Sequence, residues 1–104
     1  MALIKMNQEL KDLDGNTIPG PKEGKKLTLL DVCRTGLLSY DEKMAGEKKY
    51  ENFKLAKKLE DAPAAGVELT AEEITNIKQL VGKGQFPLIV GIVWDLLEGK
   101  DPYK

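Results

Sequence analysis

The alternation of apolar and polar positions is most regular in the last third of the chain, residues 67–99. Thr70 and Glu73 have the spacing of a capping box, in which two side chains satisfy backbone N–H groups at a helix start. The apolar positions that follow lie three or four residues apart: Ile74, Ile77 and Val81. This pattern predicts an amphipathic helix that ends at the glycines of residues 82–84.

A second helix is predicted to start at Pro87, because proline is favoured at the first helical position, where no backbone donor is needed. Its apolar residues cover nearly the whole circumference: Leu88, Ile89, Val90, Ile92, Val93, Trp94, Leu96 and Leu97. A helix that is apolar all round is normally enclosed by the rest of the protein. We therefore expect this C-terminal helix to be central, with Ile92 and Trp94 buried. Gly91 is expected to let a neighbouring helix approach closely.

Two further helices are predicted in the middle of the chain. Residues 27–40 begin with Thr28 as N-cap and Asp31 three positions later. Their apolar positions are Leu30, Cys33 and Leu37, and Gly36 indicates close helix packing. The next helix runs from Asp41 or Gly46 to Asp61, and its predicted apolar stripe is Tyr50, Phe53, Ala56 and Leu59, widened by Leu55. The remaining lysines and glutamates are typical of a solvated face.

The first 18 residues predict a β-hairpin. Ala2 to Met6 is strand-like, Asp14-Gly15-Asn16 is a turn signal, and a return strand begins at Thr17. Two prolines then stop the strand, since neither can donate to a ladder. Residues 19–26 are expected to be a mobile connection, 27–99 the helical part and 100–104 a frayed tail. The sequence thus predicts a single α+β domain: a small N-terminal hairpin packed on about four helices.

Composition and charge change this picture little. The chain has 104 residues, 41% of them hydrophobic, and a formal net charge of −1, which gives no overall attraction to nucleic acid or anionic lipid. The longest apolar run, residues 86–94, is nine residues long, whereas a membrane span needs about 20. We expect a cytoplasmic protein that neither crosses a membrane nor binds nucleic acid.

The residues that most often carry catalysis are scarce. There is no histidine and one cysteine, Cys33, so neither a Cys–His pair nor a histidine-activated serine is available. No phosphate-binding glycine loop occurs, and Gly82-Lys83-Gly84 follows a predicted helix rather than a strand. We expect a protein that is not an enzyme and needs no cofactor. Cys33 lies on an apolar stripe, which favours a buried small side chain over a reactive thiol.

One acidic segment resembles a calcium loop. The oxygen-bearing side chains at the spacing of an EF-hand are Asp12, Asp14, Asn16 and Glu23. However, Thr17 stands where the loop requires glycine, and Pro19 stands where an aliphatic residue should be. A hairpin turn is the better interpretation, and we expect no metal site.

The predicted helix that ends at Asp61 is rich in lysine: Lys48, Lys49, Lys54, Lys57 and Lys58. These side chains could contact phosphates. Glutamates at positions 47, 51 and 60 interleave with them, and the chain has only one arginine to read base edges. The pattern favours a solvated face, with a nucleic-acid-binding accessory protein as the alternative.

Several segments together resemble short bacteriophage and prophage proteins that are encoded among virion structural genes. They are L-D-G, L-T-L-L-D-V-C-R-T-G-L-L, K-Y-E-x-x-K-L-A, E-L-T-A-E-E-I-x-x-I-K-x-L-V-G-K and P-L-I-V-G-I-V-W-D-L-L-E. The resemblance spans nearly the whole chain but rests on caps, glycines and core positions. It implies a viral assembly or accessory role in a bacterial host, and it transfers no site residues.

These observations predict a non-enzymatic phage or prophage protein that acts through protein–protein contacts, in virion assembly or as an accessory factor. Its partner is expected to be a phage structural protein or a host protein. An isolated two-stranded hairpin is marginal in water, so its edge is the expected contact surface. The residues of that edge are Leu3, Ile4, Lys5, Met6 and Thr17. A host-directed regulatory binding protein is a further alternative.

Overall fold

The computed structural model describes residues 2–39 and 41–103, which form four helices and a two-stranded antiparallel sheet. The strands are β1, Ala2–Ile4, and β2, Val67–Leu69. The helices are α1, Leu29–Leu37; α2, Gly46–Glu60; α3, Ala71–Gly84; and α4, Pro87–Leu97. The predicted α+β class is confirmed. The predicted end of the first helix at Tyr40 lies outside the described residues.

The N-terminal strand pairs with β2 and not with the segment at Thr17, so that expected pairing is corrected. Leu3 lies opposite Glu68, and Ile4 lies opposite Val67. The physical reason is burial: β2 brings the fully buried Leu69 into the core beside Ile4. Gly66 permits this approach, because its φ is 121° and a Cβ there would lie 2.9 Å from the carbonyl oxygen of Ile4.

The predicted turn at residues 14–16 is confirmed, but it belongs to a separate small unit. Lys11 lies opposite Thr17 across that turn. Three backbone hydrogen bonds then close a ring: Leu10 donates to Leu27 (2.9 Å), Leu27 to Ile18 (2.7 Å) and Ile18 to Leu10 (3.2 Å). The fully buried Leu10 anchors this ring in the core.

The segment expected to be a mobile connection, residues 19–26, forms a closed loop. Pro19 lies opposite Lys26, and the Gly20 amide donates to the Lys25 carbonyl over 2.8 Å. The expected frayed tail is also tied down, since the Tyr103 hydroxyl accepts a hydrogen bond from the Lys11 amide (2.9 Å). The end of the chain therefore lies against the turn at residues 12–15.

Both predicted capping boxes are confirmed. The Thr28 hydroxyl accepts from the Asp31 amide at the start of α1, and the Thr70 hydroxyl accepts from the Glu73 amide at the start of α3. α1 packs against both α2 and α3. Gly36 makes the second approach close, because a Cβ there would lie 3.4 Å from Val81 Cγ2.

The expectation that the C-terminal helix is enclosed on most sides needs correction. α4 packs against α3, and its inner side supplies the buried residues Ile89, Ile92, Val93 and Leu97. Its outer side is exposed: Trp94 is 38% exposed, and a Cβ on Gly91 would meet no atom within 4 Å. The reason is that α3 covers one side of α4, and no other element among the described residues packs on its outer side. None of the described helices has both the length and the apolarity to cross a membrane.

The predicted stripe of α2 is also wrong in part. Its buried residues are Asn52, Leu55, Ala56 and Leu59, whereas Tyr50 and Phe53 are exposed. A strict spacing of three drifts by about 60° per step around an α-helix, so residues 50, 53, 56 and 59 cannot share one face. Asn52 takes an inner position because its amide oxygen accepts a hydrogen bond from Asn76 on α3 (2.8 Å).

Candidate interaction surfaces

The five residues of the predicted contact edge do not form one surface. Leu3 and Lys5 are exposed, while Ile4 and Met6 are buried in the core. Thr17 is half-buried and pairs with Lys11 in the separate N-terminal unit. The Met6 carbonyl is also engaged, because it accepts the Leu30 amide at the start of α1 (2.9 Å). Two of the five expected edge residues, Ile4 and Met6, are therefore part of the core and cannot contact a partner.

A larger exposed apolar surface lies on the outer side of α4. We call Phe86, Leu88, Gly91 and Trp94 the α4 face. Leu88, Gly91 and Trp94 are three residues apart, and Phe86 stands just before the helix with 81% of its surface exposed. Because Pro87 occupies the first helical position, the backbone of Phe86 is restricted to extended geometry at the start of the helix. No charged residue interrupts the chain from Phe86 to Trp94.

The Trp94 ring of the α4 face is held against α3. Its Nε1 donates to the carbonyl oxygen of Lys78 over 3.1 Å, and the Lys78 ammonium lies 4.8 Å from the ring centroid. Lys78 also pairs with Glu98. The hydrogen bond from Lys78, helped by its charge, holds the pKa of Glu98 below its usual value. Trp94 is therefore exposed and pre-positioned, which is an economical arrangement for a contact residue.

A second exposed surface lies on the outer side of α2. We call Tyr50, Phe53, Lys54 and Lys57 the α2 face. The two rings are stacked with their centroids 6.5 Å apart and their planes inclined by 23°. The Lys54 ammonium lies 4.9 Å from the Tyr50 centroid, and the Lys57 ammonium lies 5.7 Å from the Phe53 centroid. Aromatic and cationic groups are thus combined on one side of the helix.

Two of the three glutamates that interleave with the lysines of α2 have other partners. Glu60 pairs with the guanidinium of Arg34 on α1, and Glu51 lies 3.9 Å from the ammonium of Lys48. Within the part of the chain that the structure describes, no carboxylate lies within ion-pair distance of Lys54 or Lys57. The centre of the α2 face is therefore cationic.

An open groove of about 450 Å³ separates α2 from the start of α3. Lysines and glutamates of both helices line it together with Leu55 and Asn76. Lys58 pairs across it with Glu73 (3.2 Å). Burial would raise the pKa of Glu73, but the Thr70 backbone amide and the Lys58 ammonium outweigh burial and hold that pKa below its usual value.

The groups that were considered for chemistry are engaged in structure. Burial raises the pKa of Cys33 to about 12, so its thiol is protonated at neutral pH. One oxygen of Asp12 accepts the backbone amides of Asp14 (2.9 Å) and Asn16 (3.0 Å), which makes it part of the turn. Among residues 2–39 and 41–103 no cluster of three or more acidic or cysteine side chains is arranged to hold a metal ion.

Sequence reasoning missed the exposed aromatic residues of both faces. For Tyr50 and Phe53 a signal was present, since positions 52, 55, 56 and 59 follow the i, i+3, i+4, i+7 spacing of a single helix face. For Phe86 and Trp94 no such signal exists, because their exposure depends on which neighbours pack against α4.

Comparisons with known proteins give no match: no family model, no curated protein and no solved structure matches this chain. Function must therefore be argued from the two faces themselves.

Proposed function

We propose that this chain is a non-enzymatic contact protein and that it binds a protein partner through the α4 face. The observation that carries the proposal is the exposure of Leu88 and Trp94 on one side of a helix whose other side is in the core, with the exposed ring of Phe86 just before the helix. Contiguous exposed apolar surface on a small protein marks a site of interaction. Aromatic residues are also the side chains most often found at the energetic centre of interfaces.

The shape of the α4 face suits a helical or extended protein segment. Gly91 leaves open space between Leu88 and Trp94, so a partner side chain can approach the helix backbone there. The Lys78–Glu98 ion pair borders the ring of Trp94. An apolar centre with a polar rim is the usual anatomy of a protein interface.

The resemblance to bacteriophage and prophage proteins supports a setting for this contact. We propose that the chain acts in the cytoplasm of a bacterial host during virion assembly, and that its partner is a virion structural protein. A host-directed regulator would use the same face on a cellular protein. The predicted edge residues Leu3 and Lys5 are not needed for this contact, because Leu3 lies on β1 and Lys5 directly follows it, away from α4.

Site-specific photo-crosslinking tests the proposal. A photoreactive amino acid would replace Phe86 in one variant and Leu13, which is exposed to a similar extent at 84%, in a control variant. Both would be made in the cell that naturally produces the protein, and cross-linked products would be identified by mass spectrometry. We expect position 86 to cross-link to one protein, identified as a virion structural protein. The same adduct should be absent when the photoreactive residue is at position 13.

A second variant separates binding from folding. Gly91→Glu places a charge in the middle of the α4 face, and no atom lies within 4 Å of the new Cβ. The substitution also removes a helix-interior glycine, so the fold should be kept. We expect the adduct from position 86 to disappear in this background and to persist in Gly46→Glu, a matched change in open space on α2. An adduct that survives Gly91→Glu would overturn the proposal.

A further inference from the structure

We propose that the α2 face is a second binding site and that its ligand is single-stranded nucleic acid. Tyr50 and Phe53 would stack on bases, and Lys54 and Lys57 would contact the adjoining phosphates. This site shares no residue with the α4 face, so either site can exist without the other.

The rings have the arrangement that base stacking needs. Tyr50 is 61% exposed and Phe53 is 48% exposed, and their planes are nearly parallel. Both rings stand on successive turns of a helix that the core holds from behind through Asn52, Leu55, Ala56 and Leu59. Single-strand binding surfaces combine such aromatic platforms with a cationic track for the backbone.

The lysines of the α2 face supply the cationic track for the nucleic-acid backbone. Lys54 and Lys57 lie over the two rings and have no carboxylate partner among the described residues. Two of the three glutamates that seemed to neutralise this helix are engaged elsewhere, since Glu60 pairs with Arg34 and Glu51 lies beside Lys48. The third, Glu47, stands in the first turn of the helix. The sequence-based expectation of no nucleic-acid binding rested on the interleaved glutamates, the single arginine and the near-neutral net charge. The structure adds two exposed rings beside the lysines.

The combination favours a single strand over other anionic ligands. A duplex offers phosphates to the two lysines, but its base faces are stacked inside the helix and closed to the rings. An acidic protein segment also offers negative charge, but it has no flat π-surface to match two parallel rings. Unpaired nucleotides supply a flat π-surface and a phosphate in every residue.

Fluorescence anisotropy with a labelled oligothymidylate of about 12 nucleotides tests the proposal on the full chain. We expect a Kd on the order of 10–100 µM near 0.1 M salt. Tyr50→Ala and Phe53→Ala should each weaken binding about tenfold, because each removes one stacked ring. Lys54→Gln combined with Lys57→Gln should flatten the dependence of log Kd on log salt by about 1.4, the loss of two phosphate contacts.

Matched controls lie elsewhere on the surface. Leu13→Ala removes a large exposed apolar side chain that lies outside both faces, and Lys22→Gln with Lys25→Gln removes two exposed lysines from the closed loop at residues 19–26. Neither control should change the Kd or its salt dependence.

Four results would overturn the proposal. The first is no binding at a protein concentration of about 500 µM, which exceeds the Kd of even weak non-specific binding. The second is unchanged binding by Tyr50→Ala and Phe53→Ala. The third is equal affinity for a duplex of the same length, and the fourth is displacement of the oligonucleotide by polyglutamate at an equal concentration of charge. The third result would indicate simple phosphate attraction, and the fourth would indicate an acidic protein partner.

Discussion

Helices α3 and α2 differ in how their sequences define them. α3 begins with a capping box, and its buried residues Ile77, Leu80 and Val81 follow from that start. α2 begins at Ala45 with no side-chain cap, and one of its four buried residues is the polar Asn52. A cap fixes where a helix begins, and an apolar stripe fixes which side faces the core. α2 has neither signal in a strong form, so its packing is decided by its neighbours.

The two glycines that were expected to allow close packing show the same difference. Gly36 on α1 faces Val81 of α3, whereas Gly91 on α4 faces open space. Both stand inside a predicted helix, with Leu37 after Gly36 and with Val90 and Ile92 on either side of Gly91. What separates them is the position of the helix in the fold, because α1 lies between two helices and α4 packs on one.

The largest expected effect compares a buried apolar residue of α3 with an exposed ring of α2. Ile77→Ala should reduce the free energy of unfolding by about 2–5 kcal/mol, because Ile77 is fully buried. Phe53→Ala should change it by less than about 0.5 kcal/mol, as is usual for surface positions. Urea unfolding monitored by circular dichroism measures both. A loss of several kcal/mol in Phe53→Ala would place that ring back in the core and remove the α2 face.

The next effect concerns the polar contact that joins the two helices. Asn52→Ala should cost about 1–3 kcal/mol, since it removes the acceptor of the Asn76 amide and leaves a space beside Met44. A double-mutant cycle with Asn76→Ala isolates the hydrogen bond itself, for which we expect a coupling of about 0.5–1.5 kcal/mol. A coupling of zero would mean that packing, and not the amide pair, orients α2.

These comparisons show how much of the fold the sequence determines. The starts of α1, α3 and α4 were predicted from Thr28, Thr70 and Pro87, because caps and N-terminal prolines act through local backbone groups. The turn before Thr17 was predicted for the same reason. The partner of β1 was not, since β2 lies far along the chain and pairing at such distance depends on the whole core.

The candidate surfaces were harder to predict than the fold. Phe86 and Trp94 are apolar enough for a core, and only the number of covering elements decides that they remain outside. The exposure of Tyr50, in contrast, agrees with the spacing of the buried positions 52, 55, 56 and 59. The predicted edge at Leu3 to Met6 assumed a hairpin, and in the folded chain the side chains of Ile4 and Met6 point into the core. Exposure of a large side chain is a property of the assembled structure and leaves little trace in a local pattern.

A smaller effect tests the contrast between capped and uncapped helix starts. Thr70→Ala should destabilise the protein by about 1 kcal/mol, because the Glu73 amide loses its acceptor. Ala45→Ser should do the reverse at the start of α2, with a gain of about 0.5–1 kcal/mol, since Ala45 already has extended backbone geometry. Hydrogen exchange at the first turn of each helix should change in the same directions. Equal and negligible effects at both positions would mean that neither helix start limits stability.

The smallest expected effect is a pH dependence that belongs to α3. The pKa of Glu73 is held below its usual value in the folded protein, despite the opposing effect of burial, by the Thr70 amide and the Lys58 ammonium. A carboxyl whose folded pKa is lowered stabilises the protein above its unfolded pKa of about 4.3, and this contribution is lost as the pH falls toward the folded value.

The stability difference between the wild type and Glu73→Gln should therefore be present at neutral pH and shrink as the solution is acidified below about pH 4. The neighbouring substitution Glu72→Gln serves as the control for charge alone, because this exposed side chain forms no ion pair with the described residues. Urea unfolding at a series of pH values measures both differences. A Glu73→Gln difference that stays constant across the acidic range would show that the carboxylate charge contributes nothing to the cap, leaving the Thr70 hydroxyl as the group that starts the helix.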